Sequence, residues 1–472
     1  MSDADLCFLS AAELRAMYAR RSLSPVEVTR AVLDRIEALN PTLNAFVTVT
    51  PERAMDDALS AEDAYSTGAD VPCLVGIPYS LKDLTPTRGI RTTKGSRLWS
   101  DWVPDFDTPI VERLTNAGGV LLGKTNTPEL GWKGESTNPL VGSTLNPWNL
   151  ERTPGGSSGG ASAAVAAGLG PLAQGTDGAG SIRIPASFTG IFGFKASFGL
   201  VPYYPPSAVE ALAHVGPMTR TVRDAAMMLN VIAGPDWRDR NSIDRRDADY
   251  VAACEGGVRG MRVAWSPDLG FASVEPEVLA IVERAVAAFR DMGAEVVEID
   301  PGLEDPWESL SVIWATGMAA GHRDDYAEVR SDIDPGRAKV VEEGFLYSGV
   351  DLTAANNYKA LFAEKLLGLV EQYDFILTPT VPVTAFAAGE DQPGHVAGKA
   401  TSYLSWTPYT YVFNLTGQPA ATVPCGFDSN GMPVGLQIAG RWRDDATVLR
   451  AAAAFETFRP WSQYRPPIVS GA

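Results

Sequence analysis

Short apolar runs alternate with amphipathic stretches along most of this chain, and that alternation constrains its fold more than any single motif. Runs at 75–81, 120–123, 296–299, 375–377, 420–423 and 434–438 have the length and apolar content of buried strands. Helical patterns lie between them. Residues 108–117 end at Gly118-Gly119, a C-terminal stop. Residues 273–290 place Val278, Leu279, Val282, Val286 and Phe289 on one face and stop at Gly293. Such alternation predicts an α/β layered fold with a mostly buried sheet. Before it, residues 1–65 read as helices packed on the core formed by 66–472. Ser10-Ala-Ala-Glu13 resembles a capping box, and Ser24-Pro25-Val26-Glu27 opens a second helix with Pro at its first position. Val28, Ala31, Val32, Ile36 and Leu39 then follow at helical spacing. Residues 301–400 are the least regular and are expected to cover a site.

Charge and composition remove several classes of function. The net charge is −18 over 472 residues, which repels nucleic acid and anionic membranes. Cys7, Cys73, Cys254 and Cys425 lie far apart with no CxxC pair, which fits neither a disulfide framework nor a zinc site and suits a reducing compartment. The acidic start Met1-Ser2-Asp3-Ala4-Asp5 has no charged-then-apolar leader pattern, and no run is apolar enough to span a membrane. A cytoplasmic protein is expected. His214, His322 and His395 are the only histidines, and none has metal-ligand spacing or the context of a hydrolase base.

Two motifs mislead. Gly118-Gly-Val-Leu-Leu-Gly123-Lys124-Thr125 matches the P-loop pattern, but a helix ends at its glycines and a strand runs into its lysine, the reverse of a phosphate-binding turn. Gly155-Gly-Ser157-Ser158-Gly159-Gly160 contains GxSxG twice, yet the loop-like 146–154 precedes it where a nucleophile elbow needs a strand. Residues 161–169 read instead as a buried helix, which puts the serines at a helix N-terminus. Two further elements carry chemistry. Gly178-Ala179-Gly180-Ser181 lets backbone N–H groups converge, as an oxyanion site requires. Gly76-Ile-Pro-Tyr-Ser-Leu81-Lys82 places a lysine at the C-terminal end of a strand, and a buried lysine loses its proton readily.

Together the Lys82 segment, the Gly-Gly-Ser157-Ser158-Gly-Gly run and Asp177-Gly-Ala-Gly-Ser181-Ile-Arg183 resemble the defining segments of the amidase signature family. Gly123-Lys-Thr-Asn126, Asn146-Pro-Trp148, Phe192-Gly-Phe-Lys195, Thr219-Arg220-Thr-Val-Arg223-Asp224 and Asn414-Leu-Thr-Gly-Gln-Pro419 extend the resemblance over about residues 10–465. The resemblance implies one large α/β/α domain around a mixed sheet. It implies Ser181 as nucleophile, Ser157 as bridge and neutral Lys82 as general base, with a cis peptide between Gly156 and Ser157. Backbone N–H groups of Gly178, Ala179, Gly180 and Ser181 would hold the oxyanion, with Ala179 standing where many members have glycine. Asp177 and Arg183 would hold the loop. No metal or organic cofactor is implied.

The expected reaction is hydrolysis of small hydrophobic or aryl amides, with aryl esters and carbamates as further substrates. Trp132, Tyr204, Trp406, Tyr409 and Phe413 are expected to line an apolar pocket. Two alternatives come from the same family: a cyclic-amide hydrolase and the glutaminase subunit of a tRNA-dependent amidotransferase. Against the second, Thr407 stands where such subunits carry an acidic residue, seven positions before Asn414. No clear counterpart of their arginine-rich segment precedes Gly344-Phe-Leu-Tyr-Ser348. The partner expected is a small amide, with no nucleic acid and no membrane, and a homodimer is left open.

Overall fold

The computed structural model describes residues 3–67, 71–246 and 248–470. Residues 1–2 of the expected N-terminal segment and 68–70, 247 and 471–472 of the expected core segment lie outside that set. Both capping boxes form: Glu13 N donates to Ser10 Oγ at 3.1 Å, and Ser24 N donates to Glu27 Oε2 at 2.9 Å. They open helices Ala11–Ala19 and Pro25–Leu43, whose Leu14, Tyr18, Val28, Val32 and Ile36 join the main apolar core.

Among the described residues, eleven strands form one sheet. In chain order they are β1 Phe46–Val49, β2 Pro78–Lys82, β3 Val120–Thr125, β4 Leu172–Asp177, β5 Phe192–Lys195 and β6 His214–Thr219. Then follow β7 Arg262–Trp265, β8 Glu295–Glu298, β9 Phe375–Pro379, β10 Ala420–Phe427 and β11 Pro433–Gly440. Their spatial order is β1-β3-β2-β4-β6-β5-β10-β11-β9-β7-β8. The pairs β2–β3, β2–β4, β7–β9 and β7–β8 are parallel and the remaining pairs antiparallel, so the sheet is mixed, as expected.

Alternation of side chains along each strand divides the core into two layers. Val263, Trp265, Phe375 and Leu377 face one apolar cluster, which helices Val222–Ile232, Pro276–Asp291 and Asp445–Phe458 cover. Ala264 and Ile376 face the other, under helices Trp307–Ala320, Gly349–Val370 and Pro408–Thr416. No described helix is long and apolar enough to cross a membrane.

Two sequence expectations need correction. The N-terminal segment is not only helical, because β1 inside it pairs antiparallel with β3 at the sheet edge. Its four residues are too few for a period to stand out between two helices. The 301–400 region is largely regular: helices Trp307–Ala320, Pro335–Gly344 and Gly349–Val370 account for much of it. Their apolar residues are spread around the helices because one helix packs between others, which blurs an amphipathic stripe.

Candidate active site

The site is assembled at the C-terminal ends of the adjacent parallel strands β2 and β4, the place where α/β sheets expose their functional groups. β2 ends on Lys82 and β4 on Asp177. Ser157 and Ser158 arrive from elsewhere in the chain, just before helix Gly159–Ala166, with Ser158 at its N-cap position. The Gly156–Ser157 peptide is cis. Gly156 is required there by close packing, since a Cβ would sit 2.5 Å from the Glu135 carbonyl oxygen. The P-loop-like run does form the reversed arrangement, with β3 carrying Lys124 into the protein interior.

Lys82 is fully buried. Its Nζ lies 2.7 Å from Ser157 Oγ and 3.0 Å from both Ser158 Oγ and Thr176 Oγ1. Ser158 directs its own hydroxyl to the Thr176 carbonyl at 3.2 Å, so toward the lysine it acts as acceptor. A neutral amine has two N–H donors and one lone pair, and three hydroxyl oxygens around Nζ fit that set. Burial pushes the Lys82 pKa well below the ordinary lysine range, against the opposing charge of Asp177. The Asp177 charge is already engaged. Burial would raise that carboxyl, but the Arg183 guanidinium and its hydrogen bonds, with Lys195 and Asn414, hold it well below the usual range.

Arg183 donates to both Asp177 oxygens, at 3.0 and 2.9 Å, and to Thr410 O, Gln437 Oε1 and Asn414 Oδ1. Asp177 in turn accepts from Gly180 N at 2.7 Å and Ile182 N at 3.1 Å. The pair therefore ties the Ser181 loop to β4 and to helix Pro408–Thr416. This geometry removes one expected oxyanion donor, because the Gly180 N–H is committed to Asp177. Among the described residues, the N–H groups of Gly178, Ala179 and Ser181 carry no such commitment. Ala179 is buried in the apolar cluster of Trp314 and Tyr409, so its methyl group packs rather than filling the main cavity. His214 lies behind the loop, buried, with Nδ1 2.7 Å from Leu212 O.

Ser157 and Ser181 open onto one cavity of about 560 Å³. Of the expected pocket residues only Tyr204 lines it, together with Leu98, Trp99, Tyr203, Val209, Trp314 and Met318. Trp132, Trp406, Tyr409 and Phe413 are core residues. Trp132 stacks on Tyr403 and Trp406 on Phe188, while Tyr409 donates its hydroxyl to Pro267 O and Phe413 is fully buried. Helix Pro408–Thr416 packs behind the catalytic loop, so its aromatic side chains never reach the substrate side. Thr407 is also buried, its hydroxyl donated to Leu404 O, and it is not part of the cavity wall. Sequence reasoning missed Thr176 as a lysine partner, although it lies one residue before Asp177 in a segment already singled out. It missed Trp314 and Met318 because nothing local marks them apart from other apolar helix residues.

A family model described as Amidase matches residues 27–449. The chain belongs to the amidase family. It is a hydrolase of carbon–nitrogen bonds in linear, non-peptide amides. A Rhodococcus erythropolis protein named acylamidase is 42% identical over 471 residues, covering 99% of this chain and 98% of the relative. A glutamyl-tRNA(Gln) amidotransferase subunit from Thermosynechococcus vestitus is 37% identical, covering 97% and 99%. The crystal structure of a bacterial aryl acylamidase of the amidase signature family superposes with a TM-score of 0.92 at 33% identity, covering 98% and 99%.

Proposed function

We propose that this amidase hydrolyses small hydrophobic or aryl amides through an acyl-enzyme on Ser181. The observation that carries the reading is Lys82 Nζ at 2.7 Å from Ser157 Oγ, in a buried site that shares its cavity with Ser181. Neutral Lys82 accepts the Ser157 proton while Ser157 accepts that of Ser181, whose Oγ attacks the scissile carbonyl. The N–H groups of Gly178, Ala179 and Ser181 receive the oxyanion, each such donor being worth about 2.7–4 kcal/mol in other hydrolases. The same protons return to the leaving amine, and water then releases the acid. The apolar walls at Trp99, Tyr204 and Trp314, and the likeness to acylamidases, favour aryl or acyl amides as the class. Aryl esters and carbamates present the same carbonyl with better leaving groups and belong to the same proposal. So does a cytoplasmic setting, which the widely spaced cysteines suit.

Release of nitroaniline or nitrophenol from matched acyl anilides, aryl carbamates and aryl esters tests this, with wild type and Ser181→Ala run side by side. Serine-dependent cleavage with glutamine inert is expected. Glutamine hydrolysis, or silence until charged tRNA and partner subunits are added, would revive the amidotransferase reading.

A further inference from the structure

Among the charged groups that line the cavity and that the hydrolytic relay does not use, Lys94 is the one without an ion pair among the described residues. Lys94 lines the same cavity as Ser157 and Ser181. Its backbone is left-handed, with φ at 54°, a conformation that a residue with a side chain rarely adopts. Two hydrogen bonds hold it there: Lys94 N donates to Asp83 O at 3.0 Å, and Leu130 N donates to Lys94 O at 2.8 Å. Asp83 directly follows Lys82, and Leu130 directly precedes Gly131, which packs beside Ser157. Lys94 is thus fixed in the frame of the catalytic groups.

Its ammonium group is held over aromatic rings, with Nζ 3.8 Å from the Trp99 centroid and 4.6 Å from that of Trp102. The two indoles meet edge to face, 5.1 Å apart. Lysines normally extend the ammonium into water, and a half-buried one held on ring faces exchanges hydration for the weaker attraction of the π systems. The other charged groups of the cavity wall have polar partners within the protein. Asp177 is paired with Arg183, Asp325 contacts His322 Nδ1 at 3.0 Å, and Arg337 lies 3.8 Å from Glu129 and donates to His322 Nε2 at 2.9 Å. Among the described residues Lys94 makes no ion pair and no side-chain hydrogen bond. A cation placed this firmly, with no protein anion, leaves its donors for a group that enters the cavity.

We propose that Lys94 is a specificity-determining residue that receives an anionic substituent, of the carboxylate class, on the part of the amide distal to the scissile bond. Trp99 supplies the ring face beside it for an aryl portion. The proposal rests on the reading of this cavity as the amide-hydrolysing site.

The test compares 4-acetamidobenzoate with its uncharged analogue 4-acetamidobenzamide, following the released aromatic amine. The ratio of their kcat/KM values is the readout. Lys94→Met should lower that ratio about tenfold, chiefly through the KM of the anion, and Lys94→Arg should restore most of it. In wild type, added salt should raise the KM of the anion and not that of the amide. A ratio unchanged in Lys94→Met, or restored equally by Lys94→Gln and Lys94→Arg, would overturn the assignment. Calorimetric titration of both compounds into Ser181→Ala separates the two levels of the argument. Preferential binding of the anion there, lost on adding Lys94→Met, supports the subsite even if neither anilide is cleaved, whereas equal binding rejects it. Undiminished turnover by Ser181→Ala would instead reject the catalytic reading.

Discussion

Behind Ser181 the Asp177 and Arg183 groups satisfy one another, whereas the wall in front of it does not close in the same way. On the back wall each nitrogen of the Arg183 guanidinium donates to a fully buried partner, and Asp177 accepts from two backbone N–H groups as well as from Arg183 and Asn414. On the front wall, Trp99 and Tyr204 are part-exposed aromatics, and Arg337 leaves its buried Nε without a hydrogen-bond acceptor among the described residues. A saturated network in a low dielectric has one good arrangement, so it can hold a reacting atom to within a fraction of an ångström. Apolar contacts are non-directional and tolerate exchange. In the function proposed above, chemistry therefore sits on the back wall and choice of substrate on the front.

The largest expected effects break the back wall. Ser181→Ala should lower kcat on an acyl nitroanilide by roughly a thousandfold or more, and Lys82→Ala nearly as much. The double variant should be no worse than the poorer single one, because relay members act as a unit. Substantial turnover in either single variant would sink the relay. Asp177→Asn should then cost about 3–5 kcal/mol in urea unfolding, since it leaves the Arg183 charge buried without its partner. An unchanged unfolding midpoint would show that the Asp177–Arg183 pair does not hold the loop.

The pH profile sharpens the comparison. Protonation of Lys82 removes the lone pair that accepts the Ser157 proton, so kcat/KM should fall tenfold per unit of pH on the acid side of its pKa. Burial lowers that pKa from 10.5, which places the limb well below pH 10.5. Activity that keeps rising through pH 10.5 would contradict a desolvated lysine base. Asp177 opposes the shift, so its neutralisation should move the limb to lower pH still.

The smallest effect on catalysis separates wall from core. Tyr204→Ala should raise KM for an aryl amide about fivefold with little change in stability. Trp406→Ala should do the reverse, costing about 3–5 kcal/mol of stability through the cavity it leaves, while KM holds in the folded fraction. Equal KM changes in both would mean that Trp406 reaches the substrate after all.

Strands β2, β3 and β8 to β11 were easy to read in the sequence, and β1, β6 and β7 were not. Strands β8 to β11 announce themselves as isolated apolar runs, and the helix at 276–291 has a clean apolar stripe. Strands β4 and β5 did not, because Gln174, Gly175, Thr176 and Gly193 break their apolar character with residues chosen for the site. The segments of the proposed relay were legible because backbone needs mark their glycines, and the family resemblance supplied the roles. Gly156 must precede Ser157 because a Cβ there would strike the Glu135 backbone, and Gly180 occupies a φ of 129° against Thr410. The pocket aromatics were not legible, since Trp406 in the core and Trp99 in the cavity look alike in one dimension.

By itself the sequence determined the layered α/β class and, through its motifs, the family resemblance that implies the proposed relay. Periodicity and glycine placement carry the fold class and the motifs, because both follow from backbone geometry. Only the tertiary structure decided that Gly180 donates to Asp177 rather than to a substrate, and that helix Pro408–Thr416 lies behind the loop. It alone placed Lys94 over two indoles in the catalytic cavity. The Gly180 bond spans only three residues, but the place of that helix and the entry of Lys94 into the cavity depend on which distant segments meet. That is set by how the layers pack as a whole, and no local pattern encodes it.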